Sequence, residues 1–485
     1  MKLSQLLDGI TLLENHLGQD VEITSLSCDT RTMEQGALFV ALPGYHWDGN
    51  DFIPEALRKG AAAILCTEAP EGEGPYLIAK NPRAALAILS ANWFSHPAKE
   101  MTMLAVTGTN GKTTTASLLK SMLETVLGAK IGLIGTNQNM VGEEILPACR
   151  TTPEAYDLQA LLRKMADAGC THVVMEASSH GLALHRTDGI FFKATIFTNL
   201  TQDHLDFHGT MENYRAVKAK LFVQCETGIF NLDDETGRAF AQDAACKRYT
   251  YSENKPEADL QAVNIRLLPN RVEFEALTLG NIRRVRLPIP GGFSIYNALA
   301  VLACGLVLGL ELLPMTESLN SADGVKGRVE LVPVPVPFTV MIDYAHTPDA
   351  LEKILLTARA FTEKRLICLF GCGGDRDRKK RPLMGAAAAE HADIVYLTSD
   401  NPRSEDPTKI MDDIQVGMEP GGARVIRETD RCRAIRMALA EAREGDVIIL
   451  AGKGHETYQE VGAKRLHLDE REEISGFFLE TQPVG

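Results

Sequence analysis

Val106-Thr107-Gly108-Thr109-Asn110-Gly111-Lys112-Thr113-Thr114 sets two glycines, a lysine and several hydroxyls between an apolar run and a helical pattern. In that setting a Gly-rich loop turns backbone N–H groups and a helix N-terminus toward phosphates. Gly108 and Gly111 let the backbone approach closely. Lys112 would meet the β- and γ-phosphates, and the Thr113 hydroxyl a Mg²⁺ ion. The spacing departs from G-x-x-x-x-G-K-[ST], because Val106 stands where the first Gly belongs. Alone, the loop points to a nucleoside triphosphate but not to what is done with it, and a structural turn is the plain alternative.

Glu176 closes the run His172 to Met175, where ligands sit in an open α/β sheet. A carboxylate at a buried strand end is costly unless it holds something, and Mg²⁺ is the natural partner beside a triphosphate. A hydrogen-bonded strand-end Glu is the alternative. Thr198-Asn199-Leu200-Thr201-Gln202-Asp203-His204-Leu205-Asp206 follows another strand end. Its Asp and His either complete a metal site or cap the next helix.

These residues need a scaffold, and the chain is long enough for one. Its 485 residues correspond to two to four domains, and 45% hydrophobic with 24% charged residues is ordinary for a globular protein. A net charge of −14 argues against nucleic-acid binding, which needs a basic surface, while leaving room for a local basic cleft. The N-terminus lacks the continuous apolar stretch of a signal peptide, and the run Ala298 to Leu310 is too short for a membrane span and reads as a buried helix. Ten cysteines without CxxC pairing read as buried free thiols in a reducing cytosol. The expectation is a cytoplasmic, multidomain protein.

Three segments separate by pattern. Residues 1–95 carry strand-like runs at Gly36–Leu42 and Ala61–Leu65 and a helical piece at Ile53–Lys59. Residues 96–330 hold the phosphate loop, a helix through Leu127 and strands at His172–Met175 and Ala194–Phe197. Residues 331–485 hold strands at Phe338–Ile342, Leu366–Phe370, Ile394–Leu397 and Val447–Leu450, with helices at Pro348–Thr362 and Arg381–His391. Alternating strands and helices imply α/β domains with parallel sheets. Val332-Pro333-Val334-Pro335-Val336-Pro337 is stiff, cannot be a central strand and lies near the second boundary.

Together, Gly108 to Thr114, Glu176-Ala177-Ser178-Ser179-His180 and Asn199 to Asp206 resemble the central domain of the Mur ligases, ATP-dependent amide-forming enzymes of peptidoglycan precursor synthesis. The shortened loop is the normal form in that family. The resemblance covers essentially the whole chain. It implies an N-terminal α/β UDP-binding domain, a central P-loop-type parallel-sheet ATPase domain and a C-terminal Rossmann-like α/β domain. It further implies catalytic Lys112, Glu176, His204 and Lys218, with Mg²⁺ on Thr113, Glu176, His204 and Lys218. Tyr214-Arg215-Ala216-Val217-Lys218 matches the segment whose lysine is carbamylated in most of these enzymes. A neutral amine adds CO₂ to become an oxygen ligand for a hard ion. Taken alone, Lys218 is a solvated helix lysine, and Lys220 would point elsewhere.

The same resemblance assigns ATP to Gly108, Thr109, Asn110, Gly111, Lys112, Thr113, Thr114, Asn297, Arg328 and Asp343. Ser27, Thr30, Tyr45, His46, Thr151, Thr152, Ser178 and Arg186 match positions of the family's UDP-dipeptide-binding type. Phe293-Ser294 departs from the family's usual Phe-Asn. Asp400-Asn401-Pro402-Arg403 is the diaminopimelate form of a motif that otherwise selects L-lysine. An Arg guanidinium binds a carboxylate and repels an ammonium. Arg376, Gly452 and Glu456 complete that set.

The implied activity is transfer of the ATP γ-phosphoryl to the D-Glu carboxylate of UDP-N-acetylmuramoyl-L-alanyl-D-glutamate, then attack by meso-diaminopimelate. The implied protein is a monomer that takes small-molecule substrates only. A lysine-adding ligase and a folylpolyglutamate synthetase-like ligase are the alternatives.

Overall fold

The computed structural model describes residues 1–44, 48–70, 74–418 and 422–481, and its main sheets follow one another along the chain. The first contains β1 (Glu14–Asn15), β2 (Leu26–Ser27), β3 (Leu38–Val40), β4 (Ala63–Cys66) and β5 (Tyr76–Ile78), in the order β1-β5-β4-β3-β2. Strands β2 to β5 are parallel and β1 is an antiparallel edge. Helix Pro82–Trp93 packs against this sheet; Asn81 Oδ1 caps it by accepting from Arg83 and Ala84 N–H, and Pro82 opens its first turn.

The second sheet has eleven strands: β6 (Thr102–Thr107), β7 (Ile131–Ile134), β8 (Asn139–Val141), β9 (Glu144–Leu146), β10 (His172–Glu176), β11 (Phe192–Phe197), β12 (Cys225–Asn231), β13 (Lys247–Ser252), β14 (Leu260–Leu268), β15 (Arg271–Thr278) and β16 (Asn281–Leu287). Their order is β16-β15-β14-β13-β12-β11-β6-β10-β7-β8-β9, parallel from β14 to β7 and antiparallel at both flanks. Met103, Leu104, Ala105 and Val106 are all buried, as a strand covered on both faces requires. The chain leaves β6 toward β7, returns through β10, and continues outward from β11. The end of β6 therefore lies where the strand order reverses, which is where such sheets bind ligands.

The third sheet contains β17 (Glu330–Val332), β18 (Thr339–Asp343), β19 (Leu366–Phe370), β20 (Ile394–Leu397), β21 (Arg424–Arg427) and β22 (Val447–Ala451), in the order β17-β18-β22-β19-β20-β21. Only the edge strand β17 is antiparallel, and the Pro-rich stretch begins at its last residue. A separate hairpin joins β23 (Tyr458–Val461) to β24 (Lys464–His467). The expected α/β architecture of three domains is present. The apolar run from Ala298 lies in helix Phe293–Val307, with Ala298 to Cys304 all buried. Strands β14 to β16 were not anticipated. Among the described residues no helix is long and apolar enough to cross a membrane. All ten cysteines are free, but Cys28 and Cys149 are exposed and Cys246 and Cys432 half-buried, which corrects the expectation that all are buried.

Candidate active site

The phosphate loop leaves β6 and enters helix Lys112–Leu127. Gly108 has φ +144, and a Cβ there would lie 1.9 Å from Thr198 Oγ1. The segment after β11 holds the loop in shape. Thr198 Oγ1 donates to Asn110 O at 2.6 Å, and Asn199 Oδ1 accepts from Asn110 N at 2.9 Å. Lys112 Nζ folds back on the loop, donating to Thr109 O at 2.8 Å and Gly108 O at 3.1 Å. Burial lowers its pKa from the ordinary lysine value.

Glu176, at the end of β10, is 1% exposed and engaged on several sides. Thr113 Oγ1 donates to Oε2 at 2.9 Å, Thr136 Oγ1 to Oε2 at 3.0 Å, and Thr136 N to Oε1 at 2.8 Å. Arg328 Nη2 donates to Thr113 Oγ1 at 3.1 Å, and its guanidinium lies 4.6 Å from the centre of the Tyr344 ring. The hydrogen-bonded strand-end Glu of the plain reading is therefore present, and it faces the loop all the same.

Lys218 lies on helix Met211–Ala219, whose first turn Thr210 Oγ1 caps by accepting from Asn213 N. It is 1% exposed, which overturns the solvated-lysine reading, while Lys220 points to solvent as expected. Lys218 Nζ donates to Gly108 O at 2.8 Å. Burial first, then the nearby Lys112 charge, holds its pKa well below the usual lysine range.

His204 occupies the left-handed region at φ +54 and makes no side-chain cap to its helix, which removes the capping alternative. Its Nε2 lies 3.3 Å from Asp203 Oδ2, and His346 Nε2 approaches the same oxygen at 3.8 Å. Burial depresses His204 to about 3 and His346 to about 4. Burial alone would raise Asp203, but His204, His346, Lys380 and Lys112 reverse the sign and hold it at about 2.

Two adjoining cavities organise the predicted residues. A cavity of about 630 Å³ is lined by Thr109 to Thr114, Thr151, Glu176, Ser178, His204, Lys218, Asn297, Arg328 and Asp343. A smaller one of about 180 Å³ is lined by Arg376, Asp400, Asn401, Arg403, Gly452 and Glu456. Asp203, His204, Tyr344 and His346 belong to both walls. Asp343 accepts from Val329 N at 2.7 Å and Ala345 N at 2.8 Å, and burial raises its pKa. Asn297 Oδ1 accepts from Thr115 Oγ1 at 3.2 Å. In the smaller cavity, Glu456 Oε2 accepts from Lys453 Nζ and Asn401 Nδ2, both at 2.9 Å, and burial raises it.

Several expected residues are placed differently. Thr152 is fully buried, its hydroxyl donating to Glu176 O and accepting from Ser178 N, so it braces the wall instead of facing it. Arg186 is 7% exposed and paired with Glu154 at 2.6 Å, off the wall of the larger cavity. Pro402 is absent from the smaller cavity's wall; its carbonyl packs against Gly374. Gly108, though in the loop, does not line the larger cavity, and its carbonyl accepts from Lys112 and Lys218. Ser27 and Thr30 lie in the first domain, with Ser27 Oγ donating to Asp29 O and Thr30 O accepting from Lys59. Tyr45 and His46 lie outside the described residues.

Sequence reasoning did not put forward His346, Tyr344, Lys380 or Lys453. Tyr344 and His346 follow Asp343 at the end of β18, so strand-end position was an available signal. Lys453 lies between Gly452 and Glu456, both already named, so it shared their signal; Lys380 carried none that separates it from other lysines.

No three His, Cys, Asp or Glu side chains among the described residues converge to hold a metal ion. A hard cation here would need the Thr113 hydroxyl, Glu176, His204 and an oxygen donor built on Lys218. The buried amine fits that requirement, being low in pKa and hydrogen-bonded to a carbonyl.

Family models match most of the chain: Mur ligase family, catalytic domain over residues 22–101; Mur ligase middle domain over 106–305; and Mur ligase, glutamate ligase domain over 327–454. The curated UDP-N-acetylmuramoyl-L-alanyl-D-glutamate--2,6-diaminopimelate ligase 1 of Clostridium acetobutylicum is 43% identical over 465 residues, covering 95% of this chain and 96% of that one. The corresponding Clostridium perfringens ligase is 43% identical over 483 residues, covering 98% and 99%. A solved UDP-N-acetylmuramoyl-L-alanyl-D-glutamate--2,6-diaminopimelate ligase superposes with a TM-score of 0.69 at 31% identity, covering 99% of each chain. The MurF ligase of Thermotoga maritima, solved with ADP, shares the fold at a TM-score of 0.65 and 18% identity, covering 94% and 97%. The chain belongs to the Mur ligase family.

Proposed function

We propose that the chain is an ATP-dependent amide ligase joining meso-diaminopimelate to the D-Glu carboxylate of UDP-N-acetylmuramoyl-L-alanyl-D-glutamate. The observation that carries this reading is the junction of the two cavities. The phosphate-loop cavity and the Arg376–Arg403 pocket share Asp203, His204, Tyr344 and His346, so an acyl group activated in one lies beside an amine held in the other. The names of the relatives support the same substrates. The proposed division is 1–95 for the UDP-substrate, 96–330 for ATP and 331–485 for the amino acid, in a cytoplasmic monomer.

In this reading the carboxylate attacks the γ-phosphorus of ATP, ADP leaves as the bond to its bridging oxygen breaks, and the acyl phosphate formed replaces a poor leaving group with a good one. The diaminopimelate amine then attacks the acyl carbon, and the tetrahedral intermediate collapses to amide and phosphate. Lys112 swings from the loop carbonyls to the transferring phosphoryl group, and Arg328 steadies its charge. Thr113, Glu176, His204 and carbamylated Lys218 would hold Mg²⁺, which supplies charge neutralisation at the phosphate oxygens. His204 and His346, neutral at physiological pH, add no repulsion against an incoming ammonium. Arg403 and Arg376 receive carboxylates, while Asp400 and Glu456 face an ammonium.

The test is phosphate release from ATP with each substrate omitted in turn. The reading expects release only with UDP-dipeptide and meso-diaminopimelate together. Release supported by L-lysine but not by diaminopimelate would transfer the chain to the lysine-adding type.

A further inference from the structure

Arg403 stands at φ +50, a left-handed conformation that few non-glycine residues adopt. The β23–β24 hairpin holds it there. Arg403 N donates to Glu460 O at 3.0 Å and Gly462 N donates to Arg403 O at 2.8 Å, a parallel bridge between residue 403 and Val461. The hairpin also grips the preceding residues. Glu460 N donates to Asn401 Oδ1 at 2.9 Å, and Gln459 Nε2 donates to Asp400 O at 2.6 Å.

The side chains continue this arrangement. Arg403 Nε donates to Glu460 Oε2 at 2.9 Å, and Nη1 donates to Gly374 O at 2.8 Å. A planar guanidinium held at Nε and Nη1 has its plane and reach defined, and Nη2 is the nitrogen that neither partner takes. Arg403 lines the smaller cavity, whereas Glu460 does not. The Glu460 carboxylate therefore bears on an amino acid in that cavity through Arg403, its hydrogen-bond partner, while its backbone contact with Asn401 is kept in any side-chain variant.

We infer that Glu460 is a specificity-determining positioning residue: it sets the orientation of Arg403 so that the pocket accepts an amino acid bearing a distal carboxylate. An arginine freed from this hold keeps its charge but loses its geometry. Preorganised contacts of this kind act on substrate affinity more than on the chemical step. The inference rests on the diaminopimelate reading above and adds to it the residue that makes the selection effective.

The experiment uses the full-length protein and steady-state phosphate release with meso-diaminopimelate and with L-lysine. E460A is expected to raise the KM for diaminopimelate about tenfold, with kcat and the KM for ATP little changed, and to narrow the preference over lysine by a similar factor. E460Q keeps an acceptor oxygen for Arg403 Nε and is expected to recover most of the wild-type KM. An unchanged diaminopimelate KM in E460A overturns the inference, and so does a uniform fall in kcat with every KM altered. Where E460A does not fold, E460D decides the question: its shorter carboxylate must draw the guanidinium away, raising the diaminopimelate KM alone, and an unmoved KM overturns the inference. Wild-type protein that does not use diaminopimelate would remove the parent reading; wild-type turnover with insensitive Glu460 variants removes only this one.

Discussion

Lys218 and Gly108 are joined by a 2.8 Å hydrogen bond from a buried amine to a loop carbonyl, 110 residues apart in the chain. The bond ties helix Met211–Ala219 to the back of the phosphate loop. It also keeps the amine in a place where burial and Lys112 favour its neutral form, the form that adds CO₂.

Lys218→Ala is therefore expected to abolish turnover while leaving the fold intact, and short carboxylic acids added to the assay should restore part of the rate. Intact-protein mass spectrometry of the wild type under bicarbonate should show the added mass of one CO₂, lost in the variant. Full activity of Lys218→Ala would remove this side chain from the chemistry.

Gly108→Ala should be poorly tolerated. Its Cβ would lie 1.9 Å from Thr198 Oγ1 at φ +144, so the loop must shift away from Thr198 and Asn199, which hold it in shape. Strained backbone alone costs on the order of 1–3 kcal/mol. Calorimetry should show nucleotide affinity falling more steeply than Tm; unchanged affinity would mean that the loop carries no phosphate.

Arg431 and Glu470 form an ion pair with both side chains at 0% exposure, joined at 2.6 Å, and Arg431 Nη2 also donates to the Ala451 carbonyl that ends β22 at 2.8 Å. Breaking such a pair leaves a buried charge and costs about 3–5 kcal/mol. Glu470→Ala should lower the urea midpoint accordingly, and an apolar replacement of both partners should recover much of the loss.

Acid should destabilise the protein before its carboxylates titrate. Burial, then His180 and Lys218, lowers His208 from 6.5 to about 4. Unfolded protein thus binds a proton at residue 208 that folded protein does not between these values, so the stability that neutral His208 contributes is fully present above pH 6.5 and declines as pH falls toward 4. Held at about 2, Asp203 loses its contribution only below 3.8 and Glu405 only below 4.5. Tm should fall between pH 6.5 and 4, and His208→Phe should lessen that slope while His204 and His346 keep their share; an equal slope in the variant would assign the effect to those two.

The phosphate loop, the strands that end at Glu176 and Phe197, and the third sheet were legible because their apolar runs and Gly-rich turns are local signals. The burial of Lys218 was not, since a helix lysine looks solvated until the loop covers it. The approach of His346 to Asp203, the pairing of Arg186 with Glu154 and the clasp of Glu460 on Arg403 are tertiary contacts between distant segments. Strands β14 to β16 carried a usable alternation, with Val272, Phe274 and Ala276 all buried. Thr152 illustrates the converse: a motif residue whose hydroxyl is spent on the backbone of Glu176 and Ser178.

The most direct test follows oxygen. With the D-Glu carboxylate of the UDP-dipeptide carrying a heavy-oxygen label, and ATP and meso-diaminopimelate present, phosphoryl transfer to that carboxylate must leave one labelled oxygen in the released phosphate as the amide product appears. Labelled phosphate accompanied by UDP-tripeptide is the predicted result. Unlabelled phosphate, or phosphate released without the amide, would contradict ligation through an acyl phosphate.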